Sequence, residues 1–328
     1  MSTNHSIRIT FWGVRGSYPV PGTETVDFGG NTACVEVRAN EQIIILDAGT
    51  GIIGLGRSLT SRARQAGTDL EATILFSHLH HDHTQGFPFF SPAYSPAARL
   101  HFFGPASFEK SLDMVLAHNQ MPPMFPVTLQ EMASAKDIHD IQGGDVILLG
   151  ENSGGVALRN AAHMRSSSLL TDVVLIRTHR SYAHPGGVLA YRIEYDGQSV
   201  VYATDTEGYV GTDRRLVAFA KDANVLIHDA QFTEEHYSGQ RDGFPATQGH
   251  GHSTASMACE VAVAAGVEQL VLYHHDPNYD DETIRSIQTR AQSLFPDVTA
   301  AYEGLEITLG DAEELVEQEL STKPVLVS

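Results

Sequence analysis

The stretch FSHLHHDHTQG, residues 76–86, sets four histidines and an aspartate within the six positions from His78 to His83. A buried imidazole must stay neutral or find a partner, so a fold that encloses this run has to supply something the side chains share. The preceding residues, EATILF, read as a buried strand that delivers the run to a sheet edge. On extended backbone, His78 and His80 point the same way. Asp82 and His83 follow a turn and converge on a neighbouring point. Two ligand pairs offset in this way suit two metal ions about 3.5–4 Å apart. Imidazole and carboxylate are typical zinc ligands, and the same set accepts manganese, iron or cobalt. A solvated or core histidine explains a lone residue, but not five metal-type side chains in six positions.

The rest of the chain alternates strand and helix signals without a low-complexity linker. SIRITFWGV is a strand, and ACVEVRANEQIIILDAG a hairpin turning near Ala39-Asn40-Glu41. GIIGLGRSLTSRARQAG has helical spacing and a capping glycine, Gly67. GVLAYRIEYDGQSVVYATD is a second hairpin around Asp196-Gly197. RRLVAFAKDANVLIHDA and STASMACEVAVAAGVEQLVLYHHD each read as a helix followed by a strand. DETIRSIQTRAQSLFP is a further helix and AAYEGLEITL a closing strand. The acidic DAEELVEQEL after it reads as a short or frayed surface helix. Over residues 84–170 the pattern weakens into stretches rich in proline, methionine and aromatics. That segment is expected to be an insertion packed on the core of one 328-residue domain, with a lid or a homodimer contact as the sharper reading.

Composition narrows the setting. No run approaches the roughly 20 apolar residues that span a bilayer, the N-terminus has no export signal, and two cysteines make no disulfide framework. A cytoplasmic protein without a membrane partner is expected. With 21 basic against 40 acidic residues the formal charge is −19. Such a surface repels polyanions, so no large nucleic-acid footprint is expected, while bound cations reverse the field locally for a small anion.

The run His78-Leu79-His80-His81-Asp82-His83 resembles the HxHxDH signature of the metallo-β-lactamase superfamily, and the family's other motifs follow in order. LDAGTG supplies Asp47, HPGGVLAYRIE His184, YATDTE Asp205 and LYHHDP His274. The resemblance implies a four-layer αββα sandwich with two divalent ions, zinc first and manganese or iron next, at the rim between its sheets. His78, His80 and His184 would hold one ion, Asp82, His83 and His274 the other, and Asp205 would bridge them. His81 would not be a ligand. His179 competes with His184, which the following Pro-Gly-Gly and long strand favour, and His275 competes with His274, which the family pattern favours. Asp47 would lie behind the ligands, accepting a hydrogen bond from one imidazole.

Three stretches resemble the ribonuclease Z and phosphodiesterase branch: TFWGVRGSYPVPG, LIHDAQF and GHGHSTASMA. They imply that His252, oriented by Asp229, donates a proton to the leaving group or clamps phosphate. Asp229 replaces that branch's glutamate, which shortens its reach, and His228 and His250 are spare histidines nearby. By the resemblance, a metal-bridging hydroxide cleaves a phosphodiester. Ribonuclease Z enzymes carry a long tRNA-binding arm between the motifs of His184 and Asp205, but these residues stand only 21 positions apart here. The expected substrate is therefore a small anionic phosphodiester such as a cyclic nucleotide, with tRNA processing kept as the lesser reading. The alternatives are a dimetal hydrolase of a lactone, thioester or β-lactam, a diiron redox protein, and a non-enzymatic scaffold.

Overall fold

The computed structural model describes residues 6–106, 110–150, 155–163, 172–208 and 211–310. Strand β1 (Ile7–Gly13) buries every second residue, as its alternating sequence requires. It pairs with β2 (Cys34–Ala39), which turns at Asn40, in left-handed conformation, into β3 (Gln42–Leu46). Helix α1 (Gly51–Ala66) stops at Gly67, whose left-handed backbone caps the carbonyls of Ala63 and Arg64. Strand β4 (Leu70–Leu75) returns parallel to β3 and leads into the one-turn helix α2 (His81–Thr84).

The segment after α2 contributes strands to both sheets. β5 (Ala98–Pro105) pairs parallel to β4, and β6 (Ala135–Ile141) parallel to β5, with helix α3 (Leu112–Asn119) between them. β7 (Asp145–Gly150) and β8 (Gly155–Asn160) form the far edge of the second sheet. β5 is hard to read in sequence because LHFFGP is buried on both faces and does not alternate, and β6 and β8 because they have almost no buried face. Phe87, Phe90 and Ala93 pack against α1, whereas Phe89 and Met124 are exposed.

β9 (Val174–Ser181), β10 (Val188–Tyr195) and β11 (Gln198–Ala203) are antiparallel neighbours, and Asp196-Gly197 makes the tight turn between the last two with positive φ at both. Helix α4 (Arg214–Ala220) leads to β12 (Val225–Asp229), then α5 (Glu234–Tyr237) and α6 (Ala255–Ala265) to β13 (Gln269–Tyr273). Helix α7 (Asp281–Gln292) precedes β14 (Val298–Ala300) and β15 (Glu306–Leu309). The sheets run β15-β1-β2-β3-β4-β5-β6 and β14-β13-β12-β11-β10-β9-β7-β8.

Their inner faces meet through Phe11, Val37, Leu46, Ile193, Val225 and Tyr273. α1 covers the outside of the first sheet with Ile52, Leu55 and Leu59. α4, α6 and α7 cover the second with Leu216, Ala262 and Ile284. The architecture is a four-layer αββα sandwich. Among the described residues no helix is long and apolar enough to cross a membrane. The acidic stretch expected to form a surface helix after residue 310 lies outside the described residues.

Candidate metal centre

Parallel strands release their chains at one edge, and the candidate site is built where they do so. Asp47 follows β3, the histidine run follows β4, Asp205 follows β11 and His274 follows β13. Asp47, Asp205 and His274 all have positive φ, at 61°, 51° and 64°. Non-glycine residues pay for that conformation, and it recurs at functional sites. Each residue leaves its strand in a left-handed turn that swings the side chain to the rim.

Two clusters result. In the first, His80 Nδ1 lies 2.9 Å from His78 Nε2 and 3.1 Å from His184 Nε2. Asp205 Oδ2 is 3.6 and 3.8 Å from those two Nε2 atoms. In the second, Asp82 Oδ2, His83 Nε2 and His274 Nε2 stand 3.1–3.3 Å apart, and Asp205 Oδ1 lies 3.3 and 3.4 Å from the two imidazoles. Asp205 thus turns one oxygen to each cluster. For a tetrahedral cation with ligand bonds of about 2.0–2.1 Å, neighbouring ligand atoms are about 3.3–3.4 Å apart. The edges of the second cluster, 3.1–3.4 Å, match that spacing to within about 0.2 Å.

Hydrogen bonding fixes which ring atoms carry protons. His83 Nδ1 faces Asp47 Oδ2 at 2.8 Å and must donate to it. The Ser77 hydroxyl donates to the same oxygen, so its own oxygen accepts from His78 Nδ1 at 3.1 Å. His184 Nδ1 donates to the carbonyl of Gly251. The inward atoms His78 Nε2, His83 Nε2 and His184 Nε2 are left as lone pairs, beside carboxylate oxygens. Lone pairs converging at these distances repel unless a cation lies between them, and the donor set therefore fits two. Charge shows the same demand. Burial works against a second proton on His83, yet Asp205, Asp82 and Asp47 hold its imidazole well above the usual histidine range. Its Nε2 therefore attracts positive charge and takes a proton where no cation lies. Burial likewise opposes ionised Asp205, but the surrounding histidines hold its carboxyl well below the usual range.

Asp47 is fully buried and also accepts from the Ser77 backbone amide and the Tyr202 hydroxyl. Asp47→Asn puts an amide against the His83 N–H, and we expect metal affinity to fall about 10–100-fold, read by competition with a chelator.

His252 faces the same centre. Its ring stacks on His274 at 5.1 Å, Nδ1 donates to Asp229 Oδ2 at 2.7 Å, and Nε2 is 4.0 Å from Asp205 Oδ2. The shorter aspartate reaches because the backbone amides of Gln231 and Ser253 hold its other oxygen. Burial disfavours a charged His252, but Asp229, then Asp205 and Asp82, push it up to about 9.

The competing histidines lie elsewhere. His179 packs on Phe219, His275 Nε2 donates to the Ala301 carbonyl, His228 Nδ1 to its neighbour's carbonyl, and His81 and His250 are exposed. Two supports were not read from sequence. The Ser17 amide donates to Asp82 Oδ2, and Glu207 accepts from the amides of Gly249 and Gly251. Their signal is only loop placement, GS after the first strand and TDTE after the eleventh. Gly251 has φ +91°, and a Cβ there would fall 2.4 Å from His184 Nδ1, whereas Gly249, φ +83°, has open space. Gly251→Ala should therefore lose bound metal, and Gly249→Ala should cost only about 1 kcal/mol of backbone strain; elemental analysis and thermal melts separate the two.

A family profile described as Beta-lactamase superfamily domain matches residues 42–275, which include every candidate ligand. The chain belongs to the beta-lactamase superfamily. It is accordingly a metal-dependent hydrolase, in a family that typically binds two divalent metals. Ribonuclease Z of Picrophilus torridus is 24% identical over 332 residues, covering 95% of this chain and 98% of that one. Ribonuclease Z of Gemmatimonas aurantiaca is 40% identical, but over 121 residues, 37% of this chain and 35% of that one. Among solved structures, the metallo-beta-lactamase fold protein YhfI from Bacillus subtilis aligns with TM-score 0.62 at 16% identity, over 93% of this chain and all of that one. The short form of human tRNase Z aligns with TM-score 0.58 at 18% identity, with the same coverage. At these identities the two structures share the superfamily fold.

These relatives correct two expectations. A small phosphodiester substrate and the absence of a large nucleic-acid footprint are both overturned by full-length relatives named ribonuclease Z. Net charge is a sum over the whole surface, while screening limits each charge to about 8–10 Å. The −19 total therefore does not report the field at this superfamily member's metal centre. The short interval between His184 and Asp205 removes one means of holding RNA and leaves the site intact.

Proposed function

We propose that this chain is a dimetal endoribonuclease that hydrolyses an RNA phosphodiester, with the 3′ end of a tRNA precursor as the substrate its relatives' name indicates. The observation that carries the reading is the His252–Asp229 pair set against the bridging carboxylate, 4.0 Å from Asp205 Oδ2. A lactone or thioester hydrolase has less need of such a proton donor. His78, His80 and His184 would hold one cation, Asp82, His83 and His274 the other, and Asp205 both. Nitrogen and oxygen donors in near-tetrahedral spacing favour zinc, and manganese or iron accept the same set. When bound, the two cations supply positive charge to the phosphate and make water nucleophilic at neutral pH.

The chain's own residues do the rest. Asp47 and Ser77 hold His83 and His78 in the tautomers that present lone pairs inward. The Gly251 carbonyl does so for His184. Ser17 fixes the rotamer of Asp82 through its amide. Asp229 keeps a proton on His252 and aims Nε2 at the centre, where it is placed to protonate the leaving ribose oxygen. Glu207 pins the loop that carries His252.

The test is incubation of metal-reconstituted protein with a tRNA precursor bearing a 3′ trailer. A single cut that releases the trailer is expected. An intact precursor, together with turnover of a lactone panel, would overturn the reading.

A further inference from the structure

The turn that brings His184 to the metal centre also carries an arginine and a tyrosine that the chemistry above does not use. Arg180 belongs to β9 and Tyr182 follows it. The guanidinium carbon lies 5.4 Å from the centroid of the Tyr182 ring, and Nη2 donates to the Gly186 carbonyl at 3.2 Å. Arg180 Nε is buried without a hydrogen-bond partner, and among the described residues Arg180 makes no ion pair. In a chain of net charge −19, an uncompensated arginine beside the active centre stands out. Tyr182 is 76% exposed, which leaves a face of its ring in water.

Two hollows flank this turn and share Pro185 and Gly186. One, of about 210 Å³, is lined by Arg180 with His78 and His80. The other, of about 510 Å³, is lined by Tyr182 with His184, Glu207 and Gly249. Both open from the candidate ligands. Gly187 makes the arrangement possible: a Cβ there would sit 3.1 Å from the guanidinium nitrogens and 3.2 Å from the Tyr182 ring, at φ +81°. The two side chains occupy the room the glycine leaves.

We propose that Arg180 and Tyr182 form a nucleotide subsite at the rim of the metal centre, in which Tyr182 stacks on a base of single-stranded RNA and Arg180 binds the adjoining phosphate. The subsite rests on the RNA reading above and deepens it. An exposed aromatic face takes any base, and a guanidinium pairs with phosphate through two parallel N–H donors. The cation–π contact presents both groups as one surface. It also supplies local positive charge and grip on a chain with no room for a long arm between His184 and Asp205.

The test uses metal-loaded protein and two readouts. The first is binding of a fluorescent, phosphorothioate-linked oligoribonucleotide. The second is the ratio of kcat/KM on a tRNA precursor to kcat/KM on bis-p-nitrophenyl phosphate, which has no base at the rim. Tyr182→Ala and Arg180→Ala should each weaken binding and lower the ratio by about tenfold. Tyr182→Phe should keep most of both, and Arg180→Ala should reduce the slope of log affinity against log salt by about 0.7. Oligonucleotide binding that is absent, or equal in wild type and both alanine variants, would overturn the subsite. An equal fall on both substrates would overturn it too, since that marks a structural role. If wild type binds through Tyr182 but leaves the precursor whole, the RNA-processing reading fails and the subsite stands.

Discussion

Asp205→Ala is expected to lower turnover by about three orders of magnitude or more and to strip at least one metal ion from each chain. Its two oxygens face different clusters, Oδ1 toward His83 and His274 and Oδ2 toward His78 and His184. Removing the carboxylate deletes one ligand from each and leaves buried imidazole lone pairs facing each other. The left-handed backbone at position 205 carries no benefit once the carboxylate is gone. Fold loss is the competing explanation, and Asp205→Asn answers it. Asparagine keeps the shape and the backbone preference but not the charge, so it should stay folded by circular dichroism while activity and metal content fall. Full turnover in either variant would refute the bridging role.

His252→Ala is expected to reduce kcat on RNA by about 10²–10⁴-fold with both metals retained. Its Nε2 stands 4.0 Å from Asp205 Oδ2, farther than any ligand-to-ligand distance given above for the two cages, and the ring stacks on His274. Its removal therefore separates proton transfer from metal binding. Asp229→Asn should act through the same route with a smaller loss, because an amide still meets His252 Nδ1 but no longer favours the proton on the ring. A substrate whose leaving group is already acidic, such as bis-p-nitrophenyl phosphate, should lose much less than RNA. Equal losses on both substrates would assign His252 to positioning or to metal retention.

The site was more legible in the sequence than parts of the fold. A five-in-six cluster of metal-type side chains after a buried strand has few physical explanations, whereas the distant partners His184, Asp205 and His274 are legible only through the family resemblance, which sets their motifs in order along the chain. The Asp196-Gly197 turn and the Gly67 cap announce themselves because they need positive φ. β5 to β8 do not: β5 and β7 are buried on both faces and carry no period-two signal, β6 and β8 have almost no buried face, and the prolines and methionines around them imitate a loop. Long-range backbone contacts such as Ser17 to Asp82 and Gly251 to Glu207 have no side-chain signature at one end. The substrate is not legible in the −19 total for a different reason: net charge sums over the whole surface, whereas the relevant field belongs to a few residues around one cavity.

The most direct test of the dimetal account is anomalous scattering from crystals of metal-loaded protein, recorded at the absorption edge of the bound element. Two peaks about 3.5–4 Å apart are expected, one among His78, His80 and His184, the other among Asp82, His83 and His274, with Asp205 between them. A single peak, or peaks remote from Asp205, would contradict it.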